Sequence, residues 1–145
     1  GNTLVVFSRL DHGKELHRQI DEITEREVHY IAGETDKDSR EMTRQFAEKN
    51  DVTIVASLGV FSTGVNIRNL HNLIFAHPSK SKIKVLQSIG RILRKTEDGK
   101  PATVYDIIDD IKWKSRDNFT LRHAGERFRY YTEEKFDYKI NSVDI

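Results

Sequence analysis

Apolar and polar positions along this chain switch between a two-residue and a 3.6-residue period, and the switches mark its elements. Thr3 to Ser8, TLVVFS, is a β-branched apolar run and reads as a buried strand. Asp11 is placed to cap a helix whose apolar stripe is Leu16, Ile20 and Ile23. Val28 to Ala32 is the second strand candidate, followed by Gly33. Thr35 with Asp38 three residues on looks like a capping box, opening a helix with Met42 and Phe46 on its inner face. Asn50 and Asp51 end that helix, and Thr53 to Ser57, TIVAS, is the third strand. The order βαβαβ predicts parallel strands flanked by helices, because each parallel crossover needs a helix's worth of chain.

The second half continues the alternation. His71 to Ala76 is a fourth strand ended by Pro78, and Ser81 can cap the helix after it. Thr96 to Lys100 forms a turn, and Ala102 to Ile108 is a fifth strand. That strand closes on Asp106, Asp109 and Asp110, a cluster able to hold Mg²⁺ but expected to be a solvated strand end, since nothing near it suggests a metal cage. After Trp113 a long helix is predicted to about Glu134, with Leu121, Ala124, Phe128 and Tyr131 facing the core. Its other faces carry Arg116, Arg122, Arg127 and Arg129. The aromatics are expected to pack; a stacking or tracking role for the arginines stays open. The tail from Phe136 to Val143 alternates weakly and is expected to add an edge strand or stay mobile.

Two stretches carry candidate chemistry. In Gln87 to Arg94, QSIGRILR, a helical wheel sets Gln87, Arg91 and Arg94 on one face and Val85, Ile89, Ile92 and Leu93 opposite. Gly90 in mid-helix costs about 1 kcal/mol relative to alanine and marks close approach by something. Guanidinium groups bind phosphate oxygens bidentately, so the helix is expected to face phosphate. The loop after the third strand, LGVFSTGVNIRN, offers donors from Ser57, Ser62, Thr63 and the backbone at Gly59 and Gly64 at the carboxyl edge, where open α/β sheets place ligands. By itself it also reads as an ordinary connection.

Composition narrows the classes. The chain has 145 residues, enough for one domain with a real core, and no internal repeat or linker divides it. No apolar run approaches the roughly 20 residues that span a bilayer, and no signal-peptide pattern opens the chain, so a soluble, cytoplasmic protein is expected. The first strand starts almost at residue 1, so the chain reads as cut from something longer. With no cysteine and six histidines that form no close pairs, no dedicated protein metal site is expected. Net charge is only +1, yet seven basic residues stand against Glu97 and Asp98 between Ser79 and Lys100, which puts the QSIGRILR helix in a local positive patch.

Taken together, these stretches resemble the C-terminal RecA-like domain of superfamily 2 helicases and translocases. QSIGRILR looks like motif VI, QxxGRxxR; STGVNI at Ser62 to Ile67 looks like part of motif V; LVVFSR at Leu4 to Arg9 resembles motif IV; and Gly33 to Arg40 with Phe46 resembles the block after it. The order and spacing hold from about Thr3 to Asp110. NFTLRHAGERFRYYTEEKF and KSKIKVLQSIGRILRKT are similar to phage and bacterial DNA helicases of the UvsW type. The resemblance implies a RecA-like second domain over residues 1–145, with a helical extension at about 113–145. It makes Arg91 and Arg94 reach the γ-phosphate of ATP, Arg94 as arginine finger, while Gln87 orders the interdomain contacts. Gly64 would approach the nucleotide through its backbone. Asn66 stands where the family often has aspartate, which keeps an amide contact to arginine or ribose and loses a salt link. Ser8, Arg9, the backbone near Gly33, and Ser57 would hold phosphates of one DNA strand.

No GxxxxGK[ST] loop and no acidic Walker B strand end occurs, so ATP with its Mg²⁺ would be bound mainly by a missing N-terminal RecA-like domain, and the isolated chain is expected to be inactive. Two alternatives belong to other classes. A non-catalytic nucleic-acid-binding module of the same fold would use the arginines as plain phosphate contacts. An unrelated doubly wound nucleotide-binding protein would want a glycine-rich first turn, where FSRLDHG supplies only Gly13.

Overall fold

The computed structural model describes residues 1–62, 67–77, 86–87, 90, 99–109 and 119–144. Five strands, β1 (Asn2–Phe7), β2 (Val28–Ile31), β3 (Thr53–Ser57), β4 (Leu70–Phe75) and β5 (Thr103–Asp106), form one sheet in the order β2-β3-β1-β4-β5. All four pairings are parallel. Helices α1 (Leu10–Ile23), α2 (Lys37–Lys49), α3 (Leu58–Ser62) and α4 (Phe119–Glu133) pack around it. This is the flanked parallel sheet that the βαβαβ order implied, with strand ends shifted by a residue or two. The expected Ser81 cap, residues 96–98 of the expected turn, Asp110, Arg116 and the stretch before Phe119 lie outside the described residues. Among the described residues no helix is long and apolar enough to cross a membrane.

Travel through the sheet reverses once. From β1 the chain moves out to β2, returns through β3, and passes across β1 to β4 and β5. With one crossover hand, opposite directions of travel put helices on opposite faces. Accordingly, Leu16 and Ile20 of α1 pack with Val5, Phe7, Val55 and Ile74 on one face. Ala47 of α2, Val60 and Phe61 of α3, and Tyr130 and Tyr131 of α4 pack with Leu4, Val6, Ile54 and Phe75 on the other. The central run LVVF is thus apolar at every position because β1 is buried from both sides.

Four local expectations are corrected. Asp11 does not cap α1; Arg9 holds the cap position without a side-chain cap, and Asp11 sits in the first turn. Asp36, not Thr35, caps α2: its carboxylate accepts from the Ser39 amide at 2.8 Å. Thr35 instead closes the turn before it, its hydroxyl accepting from the Ala32 amide at 2.9 Å and its own amide donating to the Ala32 carbonyl. Met42 and Phe46 are not the inner face of α2. Met42 is 70% exposed, whereas Thr43 and Ala47 are buried. The helix turns its small side toward the sheet, and Phe46 lies at the rim against His29, ring centroids 5.5 Å apart. Ile23 of α1 is likewise exposed.

Asn2 explains why α2 seats on its small side. Its buried amide donates to the Ala47 carbonyl at 2.7 Å and the Arg68 carbonyl at 3.1 Å, and its oxygen accepts from the Val52 amide at 3.0 Å. One side chain therefore satisfies backbone groups at the end of α2, the start of β3 and the approach to β4.

Gly13 performs the matching task for α1. The Phe7 ring stacks on Tyr30 at 5.6 Å, and a Cβ at Gly13 would fall 2.4 Å from a Phe7 ring carbon. Gly13→Ala would gain about 1 kcal/mol of helix propensity. Overpacking a fixed aromatic costs about 1–3 kcal/mol and outweighs it. The variant is expected to unfold at lower urea concentration than the parent, with an unchanged m-value; an unchanged or higher midpoint would show that Phe7 yields freely.

Candidate functional site

Parallel pairing aligns the strand ends at one edge. Phe7 pairs with Ser57, Ile31 with Ala56, Val6 with Phe75, and Phe75 with Asp106, so the chain leaves the sheet on this carboxyl edge after every strand. Ser8 and Arg9 follow β1, Gly33 follows β2, and Ser57 ends β3. Three of the segments singled out from sequence are thereby gathered on the adjacent strands β2, β3 and β1.

Each is held differently. Ser57 is half-buried, and its hydroxyl accepts from the Val60 amide at 3.5 Å, at the start of α3. Ser8 is exposed. Arg9 is exposed too, but its guanidinium donates to the Asp11 carboxylate at 3.1 and 3.4 Å. That hydrogen bond holds the Asp11 carboxyl below its ordinary range. Gly33 is exposed with open space where a Cβ would stand. Sequence reasoning missed what fixes its loop: Arg40 donates to the carbonyls of Ala32 and Gly33 at 3.2 and 3.0 Å.

Gln87 is exposed and helical, beside buried Leu86, which joins the core cluster of Tyr130 and Tyr131. The nearest described neighbour of a Cβ at Gly90 would be the Phe136 ring at 3.6 Å, an ordinary contact. Among the described residues, that contact comes from the chain's own tail. Gly64, Asn66, Arg91 and Arg94 lie outside the described residues. Among the described residues, no group of three or more His, Cys, Asp or Glu could hold a metal ion.

The end of β5 is the largest departure from the sequence reading. Asp106 is not a solvated strand end. Its side chain is 11% exposed, and it accepts from Arg127 Nε at 2.5 Å and the Tyr131 hydroxyl at 2.7 Å. Arg127, assigned to an outer face, is 1% exposed. The signal was present: Ala124, Arg127 and Tyr131 stand at i, i+3 and i+7, so Arg127 lies within the buried stripe. The tail is not a strand; Tyr138 stacks on Phe128, centroids 5.8 Å apart, and Phe136 packs against the core.

Residues 1–96 match the family described as the helicase conserved C-terminal domain. The chain belongs to that family. This helicase C-terminal domain is 40% identical, over 99% of its length, to the ATP-dependent DNA helicase UvsW of Enterobacteria phage T4. It superimposes on the crystal structure of T4 UvsW with a TM-score of 0.78, at 41% identity over 98% of the chain. It spans about a third of each of these relatives, 31% in both cases. The C-terminal part of the Fun30 ATPase domain shares the fold, with a TM-score of 0.59 and 12% identity over 91% of the chain and 48% of that structure. The sheet is therefore RecA-like.

Burial, and the Asp106 carboxylate beside it, push the Tyr131 phenol well above its ordinary range. The fold favours the neutral phenol, so this contribution is complete below about pH 10, where an unfolded tyrosine titrates, and is lost as pH rises above it. Tyr131→Phe is expected to lose about 1.5–3 kcal/mol at pH 8 through the hydrogen bond to the carboxylate. Between pH 10 and 12 its stability should then fall less steeply than the parent's, by up to one proton's slope, about 1.4 kcal/mol per pH unit. Parallel slopes in denaturant titrations would place the phenol in water.

Proposed function

We propose that this chain is the second of two motor domains in an ATP-dependent DNA helicase or translocase. The observation that carries the reading is the family match over residues 1–96, a range that includes QSIGRILR. The 40% identity to an ATP-dependent DNA helicase over nearly the whole chain supports the nucleotide and the nucleic acid.

In this reading ATP and its Mg²⁺ are held mainly by a preceding RecA-like domain, and the nucleotide lies in the cleft between the two. Arg91 and Arg94 meet the γ-phosphate as the cleft closes, Arg94 as the finger that neutralises charge on the transferring phosphoryl group. Gln87 orders the contacts around the attacking water. Gly64 and Asn66 line the same cleft through backbone and amide. Ser8, Arg9, the Gly33 loop and Ser57 hold phosphates of one strand. Ser57 ends β3, and Gly64 and Asn66 fall between β3 and β4 in the sequence, so strand grip and nucleotide contact would share one connection. Closure then shifts the strand across the two domains, and the alternating grip yields translocation, with unwinding, annealing or branch migration as its outcome.

Arg94→Ala, made in the protein that contains both motor domains, is expected to lower nucleic-acid-stimulated ATP hydrolysis by about 10³- to 10⁵-fold, with DNA binding largely retained. Turnover within a factor of a few of the parent would remove the finger role. If Arg94→Ala instead weakened DNA binding by this chain alone and reduced its salt slope, the domain would be a plain phosphate-binding module.

A further inference from the structure

The first turn of α4 carries a feature that the motor reading leaves unused. Phe119 is 70% exposed. It lies half a helical turn away from Phe128 on the wheel, off the stripe that buries Ala124, Arg127 and Tyr131. Leaving a phenylalanine in water forgoes about 1.5–3 kcal/mol of burial. The ring is nevertheless organised: the Arg122 guanidinium lies over it, 4.6 Å from the centroid, and His123 sits against it at 6.4 Å with a 49° tilt. Arg129 pairs with Glu133 and Arg127 with Asp106, but Arg122 makes no ion pair among the described residues. One face of the ring is backed by a cation, and that cation has charge to spare.

The pair is also held in a defined place. The Thr120 hydroxyl donates to the Asp109 carbonyl at 2.7 Å, and seven residues on, Arg127 meets Asp106. Seven helical residues rise about 10.5 Å and three extended residues about 10 Å, so α4 runs back along the path of β5 with its first turn beyond the carboxyl edge. That is the edge of Ser8, Gly33 and Ser57. At the usual strand spacing of about 4.8 Å, β5 lies about 10 Å from β1 and 14 Å from β3, a few nucleotides along an extended strand.

We propose that Phe119 and Arg122 form a stacking platform for single-stranded DNA. A base lies on the face of the Phe119 ring away from Arg122, and the guanidinium meets a phosphate beside that base. Stacking on an aromatic ring accepts any base, which suits a motor that moves along a strand without reading it. The inference rests on the motor reading and adds to it a contact from the C-terminal extension, outside the residues matched by the family.

The test uses the protein containing both motor domains and an oligothymidine carrying one 2-aminopurine, whose fluorescence is quenched when it stacks. Phe119→Ala is expected to weaken binding roughly 5- to 150-fold and to abolish the quench. Phe119→Trp should restore both. Arg122→Ala should lower the slope of log affinity against log salt by about 0.7, one phosphate on a single strand. Parental affinity and quench in Phe119→Ala would overturn the platform. If Arg94→Ala abolished stimulated hydrolysis while Phe119→Ala was silent, the platform alone would fall; if the parent neither bound the strand nor hydrolysed ATP, both readings would fall together.

Discussion

The position of β1 between two parallel partners is the constraint on which the rest of this molecule depends. A central parallel strand cannot be left by a tight turn, so every departure from it must cross a face of the sheet. Because the chain leaves β1 in one direction and later passes it in the other, the two faces receive different helices. Open α/β sheets place ligands where neighbouring connections diverge in this way, which in this strand order is at the carboxyl ends of β1 and β3. Fold and site are thus two results of one strand order. Ser57 pairs with Phe7, so Ser8 leaves the sheet one position beyond the strand partner of Ser57.

Much of this was legible from sequence, for a physical reason. Buried parallel strands leave apolar runs with no polar face, and helices between them leave a 3.6-residue stripe, so the count, order and direction of elements could be written down. The set of motifs in order then pointed to the family. Illegible parts depend on partners distant in sequence. The large apolar residues of α2 favoured Met42 and Phe46 as its core face, yet the helix turns Thr43 and Ala47 inward because Asn2, on another element, fixes how closely it approaches. Thr35 and Asp36 are both good caps, and only the turn that Thr35 makes with Ala32 decides between them.

Arginine shows the same limit more sharply. Composition treats these side chains as one kind of charge, but the fold gives them different tasks. Arg18 and Arg44 each bridge two glutamates on their own helix, and their hydrogen bonds bring Glu15 and Glu41 down to about 2. Exposed pairs of this kind add little stability individually. Arg40 ties backbone carbonyls in the loop before its own helix. Arg127 is buried against Asp106, where removing either partner would leave an uncompensated charge. A basic patch read from sequence therefore says less about phosphate than the inventory of which guanidinium groups are already committed.

The knot at Asn2 has a consequence for how a two-domain machine could be strung together. Asn2 anchors the amino end of β1 into the core from below, whereas the loops that carry the candidate contacts lie beyond Phe7 at the opposite edge. Six strand residues separate the two ends, about 20 Å at the usual rise. In the two-domain reading, a segment joined ahead of Gly1 would enter at the edge of the sheet opposite the proposed cleft. Its connector must climb the height of the sheet, which takes at least six or seven extended residues before any slack for opening is counted. The tether's length would then set how far the cleft can gape, making the connector a mechanical stop as well as a covalent link.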